Sequence, residues 1–319
     1  MPDPVILISH PIMAGLEPAF AGAGLKMARA WALSDADRAE VRVILHAGEF
    51  KLEPETLLAL PKLGLVTCVS VGYDGVDVAW CRARGLEVTH AEGLNAEDVA
   101  DHAIGLILAA WRNIPAGDRR VREGLWRHED RGLTPQPSLN RRKLGIVGLG
   151  HIGLAVARRA EAMRMDVSWW GPRDKQSPWP RAENLMALAR DSDILVVACR
   201  ADPTNRHMIG REVIDAVGPA GLIVNVARGS LVDEAALIAA LKEGWLWRAA
   251  LDVFETEPTP GERWADVPGV VLTPHTAGVS TEAVPLMVDQ AIDNVRRFLA
   301  GEPVVSPVAP VAPARALGD

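Results

Sequence analysis

Leu144-Gly145-Ile146-Val147-Gly148-Leu149-Gly150-His151-Ile152-Gly153 is the stretch whose reading decides the fold. It opens as a short strand and ends in a G-x-G-x-x-G turn. Beyond it Leu154, Ala157, Ala160 and Met163 recur at helical spacing. A glycine-rich turn alone is weak evidence; a strand before it and a helix after it give it meaning. In that setting Gly148 permits the tight turn, Gly150 lets the backbone approach a pyrophosphate, and Gly153 allows close helix–strand packing. The helix start at His151 and Ile152 offers free N–H groups and partial positive charge to phosphates, so these five residues are candidate dinucleotide contacts. His151 is expected to act through its backbone.

Outward from this turn the chain alternates between short apolar runs and Ala/Leu/Arg-rich helical stretches. Four runs precede it, at Val5–Ile8, Val41–Leu45, Leu65–Val69 and Leu86–Thr89. Six more make the second set: Leu144–Val147, Asp166–Trp170, Ile194–Cys199, Leu222–Val226, Ala249–Val253 and Val270–Thr273. Alternation of this kind predicts parallel sheets flanked by helices, an α/β fold. Near-continuous apolar strands suit sheets buried on both faces. Between the sets lies a predicted helix, Ala96–Trp111, with Asn95 as its N-cap. The polar stretch Arg112–Arg142 that follows is too long for an ordinary connection. Trp111, Leu125 and Trp126 favour an arm packed on a second subunit. A last helix is predicted over Glu282–Ala300, and the proline-rich Pro303–Pro313 should be extended or partly disordered.

Length and composition agree. The 319 residues suggest about two domains. With 34 basic and 41 acidic residues the net charge is −7, which disfavours a general nucleic-acid binder. No apolar run reaches the ~18 residues of a membrane span. The start, Met1-Pro2-Asp3-Pro4, lacks the basic region of a signal peptide. Cys68, Cys81 and Cys199 have no zinc spacing, so no metal site is expected and the cysteines read as buried thiols in a reducing cytoplasm.

The strand Asp166–Trp170 normally ends with an acid that binds the ribose 2′-hydroxyl. Here Gly171 takes that place, followed by Pro172, Arg173, Asp174 and Lys175. The missing acid removes repulsion of a 2′-phosphate, and a guanidinium binds phosphate bidentately. NADP(H) is the preferred cofactor on this reading, with Arg173 its determinant. NAD(H) stays possible if Asp174 reaches the ribose.

Three later segments each put one functional group just past a strand: Asn225-Val226-Ala227-Arg228-Gly229, Leu251-Asp252-Val253-Phe254-Glu255-Thr256-Glu257-Pro258, and Leu272-Thr273-Pro274-His275. Ligands of open parallel sheets bind outside the carboxyl ends of the strands. An arginine, a carboxylate and a histidine at one rim suit reduction of a carbonyl beside a carboxylate.

With these motifs the chain resembles, from end to end, the D-isomer-specific 2-hydroxyacid dehydrogenases. Val69–Asp77 resembles that family's substrate-side loop. Within the family the chain is most similar to NADPH-preferring glyoxylate, hydroxypyruvate and hydroxyphenylpyruvate reductases. The resemblance implies that Arg228 holds the substrate carboxylate and carbonyl, that His275 is the general acid, and that Glu257 fixes its tautomer and raises its pKa. It implies that Asp252 orients the nicotinamide carboxamide, that Cys199, Ala227 and Gly278 line the cofactor, and that the Val71 and Gly72 N–H groups receive the substrate carboxylate. Arg200 stands where the family usually has proline and could face cofactor or solvent. His102 reads as structural.

The resemblance also implies architecture. A Rossmann nucleotide-binding domain, residues 98–283, is inserted into a flavodoxin-like substrate domain made of 1–97 and 284–319. Hinge closure near Asn95 and Gly278–Val284 would exclude water, and the chain would form a homodimer. The alternatives are an NAD-linked oxidation of a D-2-hydroxy acid or of a substrate such as phosphite, and, in another class, a dinucleotide-sensing corepressor. Small polar and aromatic 2-oxo acids both remain open as substrates.

Overall fold

The computed structural model describes residues 3–127 and 135–309. His128, the middle of the Arg112–Arg142 stretch and the end of the proline-rich tail lie outside the described residues.

Two compact units emerge. One comprises the described residues up to Asn95 and from Ser280 onward; the other comprises those of Ala96–Val279. The crossings therefore fall at 95/96 and 279/280, not at 97/98 and 283/284. The first follows from the Ala96–Trp111 helix, which belongs whole to the second unit.

The first unit holds β1 (Val5–Ile8), β2 (Lys26–Arg29), β3 (Val41–His46), β4 (Leu65–Cys68) and β5 (Glu87–Thr89). All pair parallel, in the order β2-β1-β3-β4-β5. This is the flavodoxin-like order. Alternate side chains enter two cores. Leu7, Ile44 and Val66 face one; Ile6, Ile8, Val43 and Leu45 face the other, beneath Val288, Ala291, Ile292 and Val295 of helix Ala283–Ala300. The strand β2 escapes the apolar pattern because Lys-Met-Ala-Arg is a half-exposed edge.

The proline-rich tail is docked as far as it is described. Asn294 Nδ2 donates to Ser306 Oγ (3.0 Å) and its Oδ1 accepts from Val305 N (2.8 Å). Val308 N donates to Val88 O, and the Val308 side chain is buried.

The second unit holds β6 (Lys143–Val147), β7 (Asp166–Trp170), β8 (Ile194–Val197), β9 (Leu222–Asn225), β10 (Arg248–Leu251) and β11 (Val270–Leu272). They pair parallel in the order β11-β10-β9-β8-β6-β7. A single parallel bridge joins Trp169 to Arg181 outside β7. Counting that bridge as a residual strand gives the dinucleotide-binding order, in which the third strand lies outside the second. Here too both faces are buried, Leu144 and Ile146 on one and Val147, Leu195 and Val197 on the other.

Two local expectations are corrected. Asn95 does not cap the Ala96–Trp111 helix: its Oδ1 is buried without a hydrogen-bond partner. Trp111 is not an arm residue. It lies in the core with its indole N–H on Pro137 O (2.9 Å), whereas Ile114, Val121, Leu125 and Trp126 are exposed on and after helix Ile114–Arg122.

Candidate active site

Because the second sheet is wholly parallel, every strand delivers its carboxyl end to one edge. The glycine turn leaves β6 there. Gly148 has φ +96°, and a Cβ on it would lie 2.6 Å from Cys199 Cα. A Cβ at Gly153 would lie 2.1 Å from Gly148 O, so the helix His151–Ala162 starts hard against the turn. Above Gly150 a Cβ would meet nothing within 4 Å, leaving the open approach that a pyrophosphate needs. The first N–H groups of that helix have no partner within it. These residues fit a dinucleotide.

The next loop leaves β7. Gly171 is buried, yet a Cβ there would meet only the Trp169 ring at 3.6 Å. Arg173, Asp174 and Lys175 are exposed. Lys175 Nζ donates to Leu149 O (2.9 Å), which ties the loop to the glycine turn. On the other flank of the turn Cys199 Sγ contacts Met208 Sδ (3.8 Å), and burial pushes its thiol up to about 12. Arg200 is exposed at the same edge.

At the far side of the edge, Arg228 follows β9. Asn225 ties its turn, donating from Nδ2 to Arg228 O (2.9 Å) and accepting from Ala227 N (3.1 Å). Gly229 lies flat on the next loop: a Cβ would stand 1.8 Å from the carbonyl carbon of Phe254. Only glycine lets the Arg228 loop come this close to the loop carrying Glu257. There Phe254 N donates to Glu257 Oε1 (2.9 Å), and Glu257 Oε2 meets His275 Nδ1 at 2.6 Å. Burial alone would raise the Glu257 carboxyl, but the hydrogen bonds from His275 and Phe254 together hold it below its ordinary value. The bond to Glu257 lifts the His275 imidazole above its ordinary value, against burial and the nearby Arg228 charge. His275 Nδ1 is thus committed to Glu257, and Nε2 is the nitrogen left for a substrate proton.

His275 sits at φ +53°, a left-handed conformation uncommon outside glycine. Asp252, 1% exposed, organises this turn. Its backbone oxygen accepts from His275 N (2.8 Å). Its carboxylate accepts from Thr273 Oγ1 (2.6 Å), Thr276 N (3.0 Å) and Ala277 N (2.9 Å). Gly278 follows directly. The resemblance implies a ligand-orienting role for Asp252 and does not reveal that it builds the histidine's turn. It also misses Thr273 and His102, joined by a 2.9 Å contact, and the pairing of His207 with Glu255. No signal in the sequence marked them, because each lies inside a helix or loop pattern with its partner far along the chain.

In the first unit, Val71 and Gly72 lie in the loop after β4. Ser70 Oγ donates to Gly72 O (2.9 Å) and accepts from Gly48 N (2.8 Å). Val71 O accepts from His90 Nδ1 (2.9 Å). The loop's carbonyls are thereby held, and its N–H groups at 71 and 72 make no hydrogen bond among the described residues. Among the described residues no group of His, Cys, Asp and Glu could hold a metal ion, and no helix is long and apolar enough to cross a membrane.

Residues 104–277 match the family described as D-isomer specific 2-hydroxyacid dehydrogenase, NAD binding domain. The chain belongs to the D-isomer-specific 2-hydroxyacid dehydrogenase family. It is 42% identical to a hydroxyphenylpyruvate reductase of Plectranthus scutellarioides, covering 84% of this chain and 85% of that protein. It is 38% identical to a glyoxylate/hydroxypyruvate reductase of Arabidopsis thaliana, covering 86% and 88%. An NADPH-dependent glyoxylate/hydroxypyruvate reductase from Sinorhizobium meliloti, solved with NADP and malonate, superposes with a TM-score of 0.89 at 34% identity, covering 96% of this chain and 97% of that one. This dehydrogenase therefore carries its family's nucleotide-binding domain in its second unit.

Proposed function

We propose that this dehydrogenase is an NADPH-preferring reductase of small 2-oxo acids to D-2-hydroxy acids, of the glyoxylate/hydroxypyruvate type. The observation that carries the reading is the Glu257–His275 pair beside Arg228, at the sheet edge that also bears the glycine turn. The names of the relatives agree with it.

When bound, a reduced nicotinamide supplies the hydride. The chain's own residues do the rest. Gly148, Gly150, His151, Ile152 and Gly153 cradle the dinucleotide phosphates, with Cys199, Ala227 and Gly278 beside it. Arg228 binds the substrate carboxylate and polarises its carbonyl through charge-assisted hydrogen bonds. The N–H groups of Val71 and Gly72 receive the carboxylate. His275 gives its Nε2 proton to the carbonyl oxygen, and the product is a hydroxyl group. Glu257 keeps Nδ1 protonated throughout, so the imidazole that remains is poised as a base for the reverse reaction. Asp252 holds the turn and has lone pairs left for a carboxamide.

Preference for NADP(H) rests on Gly171 in the acid's usual place and on exposed Arg173. The apolar surface at Ile114, Val121, Leu125 and Trp126 fits a second copy of this chain, making a homodimer. Three free cysteines suit the reducing cytoplasm.

The test is a steady-state assay crossing NADPH and NADH with glyoxylate, hydroxypyruvate and hydroxyphenylpyruvate. Turnover favouring NADPH is expected. Turnover with NADH alone would overturn the cofactor preference. Tight dinucleotide binding without turnover would replace the enzyme reading by that of a binding protein.

A further inference from the structure

The turn that carries His275 is anchored by more than Asp252. Helix Ala96–Trp111 points His102 at it from below. His102 Nε2 lies 2.9 Å from Thr273 Oγ1 and 3.4 Å from Asp252 Oδ1. Thr273 Oγ1 is in turn 2.6 Å from the same Asp252 oxygen. The proton positions follow from chemistry. A carboxylate only accepts, so the threonine hydroxyl spends its single proton on Asp252 and must accept from the imidazole. Nε2 of His102 is therefore protonated, and the chain runs His102 Nε2–H to Thr273 Oγ1–H to Asp252 Oδ1. Oδ1 also accepts from Thr276 N, and Oδ2 from Ala277 N. Three residues of one turn thus converge on one carboxylate, and among the described residues His102 is the side chain of the helix that hydrogen-bonds to that cluster.

That link matters because the turn is not self-supporting. A histidine at φ +53° persists only where its surroundings impose it. The constraints visible here are Asp252 O on the His275 N–H, the Asp252 carboxylate on the two N–H groups that follow, and Thr273 at the entrance. Thr273 can hold Asp252 in one rotamer only while its own hydroxyl is oriented, and His102 orients it.

We infer that His102 is a positioning residue: through Thr273 it fixes the Asp252 carboxylate and hence the left-handed turn from which His275 meets Glu257. The inference rests on the proposed role of His275 as proton donor, and it adds a residue that touches neither substrate nor reacting atoms. Small errors of position at a proton donor are costly, on the order of 10²-fold for roughly 1 Å.

Three variants test it: His102→Leu, which removes the donor; His102→Gln, whose amide N–H can replace it; and Thr273→Val, which breaks the chain one link on. Two readouts are followed. The first is kcat and KM with NADPH and glyoxylate. His102→Leu and Thr273→Val should each lower kcat by roughly 10- to 100-fold while KM for the oxo acid changes little. His102→Gln should recover most of the loss, and the double variant should be no worse than either single one. The second readout needs no turnover: the His275 imidazole is titrated by NMR in the cofactor-free protein. Its pKa, raised in the parent, should fall toward the ordinary value in His102→Leu and return in His102→Gln.

Equal losses in the leucine and glutamine variants would overturn the inference, since packing rather than hydrogen bonding would then be what His102 supplies. So would a His102→Leu protein with parental kcat and an unmoved His275 titration. If the parent itself turns over no 2-oxo acid, the proposed function fails on its own, and the His275 titration still decides whether His102 sets the turn.

Discussion

Replacing Glu257 by glutamine is the most direct challenge to the proton-donor assignment. The substitution keeps shape and removes charge. In the parent, one carboxylate oxygen takes the Phe254 N–H and the other takes His275 Nδ1. A hydrogen bond to a charged group contributes about 1.5–3 kcal/mol, and a neutral one about 0.5–1.5 kcal/mol. The difference is roughly 1–1.5 kcal/mol, and one pKa unit corresponds to about 1.4 kcal/mol. The His275 pKa should therefore fall toward its ordinary value. Both side chains are about one-third exposed, at 33% and 31%, and solvent screening trims the shift rather than enlarging it. Reduction needs the protonated imidazole, so kcat/KM declines as pH rises through the folded-state pKa. In Glu257→Gln that decline should begin at lower pH, and above both pKa values the variant should be about tenfold slower, as about 1.4 kcal/mol implies. The assay is the pH profile of kcat/KM with saturating NADPH. A profile superimposable on the parent's would refute the assignment of the proton to this pair. Stability depends on the same two groups. A raised His275 pKa contributes stability that is lost as pH rises through it; a lowered Glu257 pKa contributes stability that is lost as pH falls through it. The parent's advantage over Glu257→Gln in thermal melting should be largest between the ordinary values of 4.5 and 6.5.

Other expectations follow from the glycine positions and the surface. Gly171→Asp, whose Cβ has room beside Trp169, should shift cofactor preference toward NADH, and Arg173→Ala should raise KM for NADPH more than for NADH; an unchanged NADPH/NADH ratio of kcat/KM in both would remove the basis of the cofactor preference. Gly148→Ala should lower the melting temperature, because it forces a Cβ onto Cys199 at a positive φ, at a cost above about 1 kcal/mol. Gly150→Ala should melt like the parent yet bind dinucleotide more weakly by calorimetry. Trp126→Asp, at a position 64% exposed, should weaken the proposed dimer and lower the sedimentation coefficient toward that of a monomer.

The parts of this molecule legible in the sequence are those that local chemistry dictates. Strands buried on both faces read as unbroken apolar runs, so β1, β3, β4 and most of the second sheet were visible. The glycine turn was visible because its three glycines answer separate local demands. Arg228, Glu257 and His275 were visible in motifs, each just past a strand. Lys26–Arg29 was not, since an edge strand needs no apolar face. Arg181 was not, since one bridge leaves no period. Asn95 looked like a cap because its type suits one, but its oxygen points into a buried place without a donor. The links of His102 to Thr273 and Asp252 were invisible for a different reason: they join positions 171 and 150 residues apart in the sequence, counted as 273 − 102 and 252 − 102, and only the folded sheet edge unites them.

The lone bridge between Trp169 and Arg181 bears on how such enzymes change. The chain leaves β7 at Gly171 and returns to the same strand end, where Trp169 N donates to Pro180 O, Ala182 N donates to Trp169 O, and the Arg181 guanidinium closes the neck on Gly171 O (2.8 Å). The stretch from Pro172 to Pro178 hangs outside that clasp, and among the described residues Lys175 is its hydrogen-bonded tie to the glycine turn. Such a loop can be lengthened, shortened or grafted from a relative without shifting the register of any strand. Selection can therefore retune which dinucleotide pool the enzyme draws on while the histidine turn, at the opposite margin of the sheet, is left untouched.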